Sequence, residues 1–150
     1  MRFTSNYFLK DSYSKELINA IEYAAAAVGQ KIYIAKGAQV TQPWNQGLDF
    51  LKSASIPGTV IDYVLPTNEA RVVYAVKATA SNGGTLVVKL DERPVFKCPM
   101  DSIAKSENGQ IDLTRPIIVL PGKRITVEVE GGSSTTVTID VCNIKITPPT

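Results

Sequence analysis

Ile125-Thr126-Val127-Glu128-Val129-Glu130-Gly131-Gly132-Ser133-Ser134-Thr135-Thr136-Val137-Thr138-Ile139-Asp140-Val141-Cys142 decides the fold class of this chain. Successive side chains of a strand point to opposite faces of its sheet. Ile125, Val127 and Val129 therefore share one face, and Thr126, Glu128 and Glu130 the other. Val137, Ile139 and Val141 repeat the pattern against Thr138, Asp140 and Cys142. This is the alternation of an antiparallel sheet with one wet face. Between the two runs, Gly131-Gly132-Ser133-Ser134 predicts a hairpin. Ile144 and Ile146 fall out of step with the run before them, which predicts a bulge or bend near Asn143.

The same pattern extends upstream. Thr59 to Leu65 reads as a strand closed by Pro66. Arg71 to Ala80 reads as a long strand with Val72, Tyr74, Val76 and Ala78 on one face. Ser81-Asn82-Gly83-Gly84 predicts a tight hairpin leading into Thr85 to Leu90. Pro94 and Pro99 place the short strand between them at a sheet edge, because proline cannot donate to a ladder. Asn108-Gly109 and Pro121-Gly122 mark turns, and the apolar run Pro116 to Leu120 between them predicts a buried strand. Short strands at this spacing predict a β-sandwich or barrel.

The front of the chain reads differently. Asp11 or Ser12 can cap a helix, and Leu17, Ile21, Ala24 and Val28 then form one apolar stripe before Gly29. The helix is expected from about Ser12 to Val28, with Ala24 to Ala27 leaving room for close approach of another backbone. Lys31 to Ala35 is a strand candidate. From Lys36 to Gly58 periodicity is lost, which predicts an irregular connector packed through Trp44, Phe50 and Leu51, with a short helical turn at Leu48–Leu51. The expected fold is thus mainly β: an antiparallel, jelly-roll-like β-sandwich over 59–150, preceded by a helix, short strand and connector arm over 1–58, as one folding unit.

Composition narrows the function classes. The chain has 150 residues, enough for one domain with a real core. A net charge of +2 with scattered Lys and Arg lacks the concentrated positive charge that nucleic acid requires. No apolar run is long enough for a signal peptide or a transmembrane helix, so neither leader nor membrane partner is expected. There is no histidine, which removes the commonest general base and metal ligand. Cys98 and Cys142 without histidine cannot build an ordinary zinc site, and read as two small buried hydrophobes. Asp91, Glu92 and Asp101 are the nearest approach to a calcium set, but solvated turn residues is the plainer reading. Ser12 to Lys15 and Ser102 to Lys105 carry a Ser-x-x-Lys spacing without the companion strings of penicillin-recognising enzymes. No catalytic residue, cofactor or metal is expected.

The aromatic residues remain. Phe3, Tyr7, Phe8 and Trp44 lie in segments with weak internal periodicity and are the candidate partner contacts. A large ring buries area at little entropic cost, which suits an interface anchor.

Residues 57–146, and above all Pro116-Ile117-Ile118-Val119-Leu120-Pro121-Gly122-Lys123-Arg124-Ile125-Thr126-Val127, resemble the β-sandwich decoration or cement proteins of tailed-phage capsids. Buried strand, Pro-Gly turn and amphipathic strand recur in viral jelly rolls. The resemblance implies a virion protein, assembled in the host cytoplasm, that strengthens a lattice of major capsid protein as a homo-oligomer without catalysis. Another virion component, such as a head–tail connector or tail protein, or a glycan- or receptor-binding module of a tail fibre, is the alternative.

Overall fold

The computed structural model describes residues 15–29 and 44–148. One helix, α1 (Lys15–Ala27), precedes the strands, with Glu16 in its first turn. It ends at Gly29, which takes a φ of +78°. The expected helix start near Ser12 and the strand expected at Lys31 to Ala35 lie outside the described residues.

Nine strands follow among the described residues. They are β1 (Trp44–Gly47), β2 (Leu51–Ile56), β3 (Gly58–Val64), β4 (Ala70–Ala78), β5 (Thr85–Leu90), β6 (Arg93–Pro99), β7 (Gln110–Val119), β8 (Arg124–Glu130) and β9 (Thr135–Ile146). A short helix, α2 (Met100–Lys105), joins β6 to β7. The first sheet runs β1-β9-β4-β7, with β2 continuing β1 along the same edge of β9. The second runs β3-β8-β5-β6. All pairings are antiparallel. Taking β1 and β2 as one broken strand, this is an eight-stranded jelly roll of two four-stranded sheets.

The expected inward set is observed. Ile125, Val127, Val129, Val137, Ile139 and Val141 all lie in the core between the sheets. Burial there follows from alternation, which brings the apolar faces of β8 and β9 together from opposite sheets.

Several local expectations are corrected. Residues 79–84 and 131–134 are not hairpins: each carries the chain from one sheet to the other, since β4 and β9 belong to the first sheet and β5 and β8 to the second. Alternation cannot tell a hairpin from such a crossing, because both present apolar residues to the same core. The two loops interlock instead. Asn82 Nδ2 donates to the carbonyls of Gly131 (3.1 Å) and Ser133 (3.0 Å), and the Ser133 amide donates to Asn82 O (2.8 Å). A Cβ on Gly132 would sit 2.5 Å from Asn82 O, so close approach, not hairpin geometry, requires glycine there. The tight hairpin is at Asp91-Glu92, between β5 and β6, where both residues take positive φ.

The parity change near Asn143 also has another cause. β9 runs without a break from Thr135 to Ile146. Ile144 and Ile146 simply face the opposite side of the sheet, where they pack with α1. The irregularity is on β4, where Tyr74 is an extra residue between Val73 (opposite Asn143) and Ala75 (opposite Cys142). It splits the face expected for that strand: Val72 and Tyr74 meet α1, while Val76 and Ala78 face the sandwich core.

Pro116 to Leu120 is apolar for a related reason. Among the described residues β7 pairs with β4 alone, at the edge of the sheet, but both its faces are covered. Ile117 and Val119 enter the sandwich and Ile118 meets α1. Finally, the sandwich begins at Trp44 and not at Thr59, because β1 and β2 form one edge of the first sheet. Propensity missed them: small and polar residues (Asn45, Gln46, Gly47, Ser53, Ala54, Ser55) interrupt any alternation, and β9 supplies the ladder.

The helix closes a second core. Leu17, Ile18, Ile21, Ala24 and Ala25 pack on Ala70, Val72, Ile144 and Ile146. Ala24 and Ala25 are fully buried, as the thin end of the helix suggests. The outer face of the second sheet carries ion pairs, Lys89–Glu128 (2.6 Å) and Arg124–Asp62 (2.6 Å).

Ile21 is fully buried in the helix–sheet cluster. Ile21→Ala is expected to lower unfolding free energy by about 2–5 kcal/mol in denaturant melts. A loss within experimental error would show that α1 contributes nothing to the folded domain.

Candidate functional site

Among the described residues, those that the sequence singles out do not gather at one place. Phe3, Tyr7 and Phe8 lie outside the described residues. The backbone of Trp44 opens β1 opposite Ile146, at the edge of the first sheet among the described residues. Asp91 accepts from the Arg124 amide (3.0 Å), and Asp101 accepts from the Ser81 hydroxyl. Among the described residues no three acidic or cysteine side chains gather as a metal site. Ser102 and Lys105 are exposed on α2, and the Ser106 hydroxyl donates to the Ser102 carbonyl (2.6 Å). Cys98 and Cys142 are both free and buried, Cys98 on β6 in the core between the sheets and Cys142 on β9. Burial raises both thiols, and with Asp140 nearby it pushes Cys142 up to about 12. Neither is a nucleophile at neutral pH.

Two constellations were not visible in sequence. The first surrounds Arg71, whose side chain is completely buried. Its Nε donates to Glu69 (2.8 Å), Nη1 and Nη2 donate to the two oxygens of Asp49 (2.7 and 2.8 Å), and Nη1 also donates to Asn143 (3.0 Å). Its guanidinium lies 4.7 Å from the Phe50 ring centroid and 5.2 Å from that of Tyr63. The Tyr63 hydroxyl donates to Glu69 (3.0 Å), and Lys145 approaches Glu69 from outside at 3.6 Å. Burial disfavours the Arg71 charge, but the hydrogen bonds to Asp49 and Glu69 outweigh it and raise its pKa further. The hydrogen bonds from Arg71 likewise hold the Asp49 carboxyl below the usual carboxylate range. Burial and the bond to Glu69 raise Tyr63.

This cluster holds the fold together. Asp49 sits in the break between β1 and β2, Tyr63 on β3, Arg71 on β4 and Asn143 on β9. Asn143 Nδ2 also donates to the Gly47 carbonyl (3.2 Å), tying the end of β1 to the interior. A Cβ at Gly47 would collide with Asn143 Oδ1 and lie 2.6 Å from Arg71 Nη1, so only glycine fits.

The second constellation is a cleft of about 340 Å³ on the open side of the sandwich, between edge strands β6 and β7. Phe96, Ile111, Leu113 and Ile117 give it an apolar wall. Val95, Thr114, Arg115 and Asp112 complete the lining. Both strands are irregular there. Val95 is an extra residue on β6, since Phe96 pairs with Val88 and Pro94 with Lys89. On β7, residues 113–116 stand opposite Tyr74 alone, because Ile117 pairs with Val73 and Asp112 with Ala75. Such bulges re-aim side chains and interrupt pairing at sheet rims. Pro94, Pro99 and Pro116 flag these strands in the sequence, but nothing in it brings β6 and β7 to one opening.

No family model matches this chain. No curated protein matches it in sequence. Among solved structures, it is similar to the C-terminal CBM6 of LamC, a marine laminarinase from Zobellia galactanivorans, at 13% identity and a TM-score of 0.30, over 70% of this chain and 73% of that one. It is also similar to dimeric latent PorU from Porphyromonas gingivalis, at 13% identity and a TM-score of 0.35, over 77% of this chain but only 15% of that one. Likeness of this degree carries no functional argument.

Removing the Arg71 guanidinium takes a charged partner from buried Glu69 and the donor from Asn143 Oδ1, while Tyr63 and Lys145 stay with Glu69. Arg71→Ala is expected to cost about 3–5 kcal/mol in denaturant melts at neutral pH. Asp49→Asn should cost less, because Asp49 is half exposed. It should also flatten the acid limb. A carboxyl with a depressed folded pKa contributes stability above its unfolded value near pH 4, and loses it as pH falls through the folded value. Parallel acid limbs for the two proteins would refute the Asp49–Arg71 coupling.

Proposed function

We propose that this chain is a structural virion protein that binds and stabilises a phage capsid lattice, with no reaction of its own. The observation that carries this reading is the use of its buried polar groups. Arg71, Glu69 and Asn143, together with Asp49 and Tyr63, are engaged with one another across β3, β4, β9 and the break between β1 and β2. A group tied into such a network holds strands in place and is not poised to move a proton or attack a substrate. What results is a rigid two-sheet body, the kind of part that lattice reinforcement needs. The jelly-roll connectivity supports the resemblance drawn from residues 57–146, and its near-neutral net charge of +2 suits dense packing.

The contact to the lattice is assigned to four aromatic residues: Phe3, Tyr7 and Phe8 near the start of the sequence, and Trp44 at the start of β1. Trp44 opens the edge strand β1, so a partner reached through it would lie on the β1/β2 side of the first sheet.

Quantitative mass spectrometry of purified particles should find the chain at a fixed ratio to the major capsid protein, and particles lacking it should rupture at lower temperature. Trp44→Ala should lower particle occupancy by the equivalent of about 2 kcal/mol or more, while the free protein keeps most of its melting temperature. Absence of the chain from particles would overturn the virion role. A destabilised free protein whose folded fraction binds normally would overturn the assignment of Trp44.

A further inference from the structure

The β1/β2 edge and the β6/β7 cleft lie on opposite sides of the sandwich, since β1 and β7 end the first sheet's order. The cleft therefore needs its own account. Its charged lining is one carboxylate and one guanidinium, Asp112 and Arg115, both exposed on β7, Arg115 within the irregular stretch and Asp112 at its border. Neither makes an ion pair among the described residues, and the hydrogen bond recorded for Asp112 is from the neutral Gln110 amide (2.6 Å). Val95, 44% exposed, stands at the opening, one of the few large apolar side chains left in water.

We propose that this open side is where a second copy of the chain docks, about a two-fold axis. Asp112 of each copy meets Arg115 of the other, around an apolar centre that includes Val95. A two-fold interface uses the same patch twice, so residue i meets j and j meets i. A rim with one charge of each sign satisfies that rule, whereas a rim of one sign would repel its copy.

The strand edges exclude the main alternative mode. Pro94, Pro99 and Lys97 on β6, and Pro116 on β7, interrupt or guard the main-chain edge. Edges so treated resist strand addition. Association on this side therefore goes through side chains and not through a shared sheet. A small ligand fits less well. The one ring in the lining, Phe96, is half-buried, and the charged groups flank an apolar wall instead of converging within it. The inference stands apart from the virion role, because it concerns the free protein.

Sedimentation velocity on the full chain, from low to high micromolar concentration, tests it. The wild type should show a reversible monomer–dimer equilibrium. Asp112→Arg and Arg115→Asp should each weaken dimerisation by about tenfold or more, and the double reversal should restore it to within about threefold of wild type. Val95→Asp should abolish the dimer, with circular dichroism showing the sandwich intact. A wild type that stays monomeric throughout overturns the proposal. So does a double reversal no better than the worse single variant, or a dimer indifferent to Val95→Asp, which would place the interface elsewhere. Particle occupancy is a separate readout, so failure here leaves the lattice role to its own test.

Discussion

A fully buried guanidinium sets the terms for much of this fold. Removing a charge from water costs several kcal/mol unless it is paired and hydrogen-bonded. Arg71 meets that condition because two distant segments join its near neighbour Glu69 around it: Asp49 from the break between β1 and β2, and Asn143 from β9. Neighbouring identities follow from it. Position 47 must be glycine because any Cβ would occupy the space of Asn143 and Arg71. Tyr63 and Phe50 cover the charge with their rings, in edge-to-face contact with each other at 5.6 Å. The break between β1 and β2 is therefore the place where the edge strand bends to deliver Asp49.

This anchor makes the two sides of the sandwich unlike. On one side, β2 passes directly into β3 through Ile56-Pro57-Gly58, and the Arg71 cluster ties β3, β4 and β9 together behind it. On the other, α2 spans from β6 to β7, and both strands bulge away from their neighbours. The cleft is what remains. The outer face of the first sheet would be wet in a bare sandwich, but α1 covers part of it, which is why β4 and β7 carry apolar residues on both faces. The described residues thus offer three different surfaces: a guarded cleft, the β1/β2 edge, and a charged outer face on the second sheet.

The Tyr74 irregularity links these features. Its extra residue reverses the facing of β4 midway along the strand, so the same strand serves the helix cluster at one end and the inter-sheet core throughout. Opposite it, residues 113–116 bow outward and form one wall of the cleft. A shift of parity in the middle of the first sheet is therefore coupled to the opening at its edge.

The sequence by itself determined the class and the interior. Two-residue alternation along Ile125–Glu130 and Val137–Val141 specifies strands and names their inward residues, because burial follows directly from the pleat. The helical stripe of Leu17, Ile21 and Ala24, the edge position of the Pro94–Pro99 strand and the burial of both cysteines were legible for similarly local reasons. Tertiary structure alone decided which strands share a sheet, since a loop such as Gly131–Ser134 reads the same whether it returns within a sheet or crosses between two. It alone placed β1 and β2, whose ladder depends on β9 and not on their own side chains. It alone assembled Arg71 with Asp49 and Asn143, and Val95 with Arg115, because these groups lie up to 72 positions apart and no local pattern records a partner at that range.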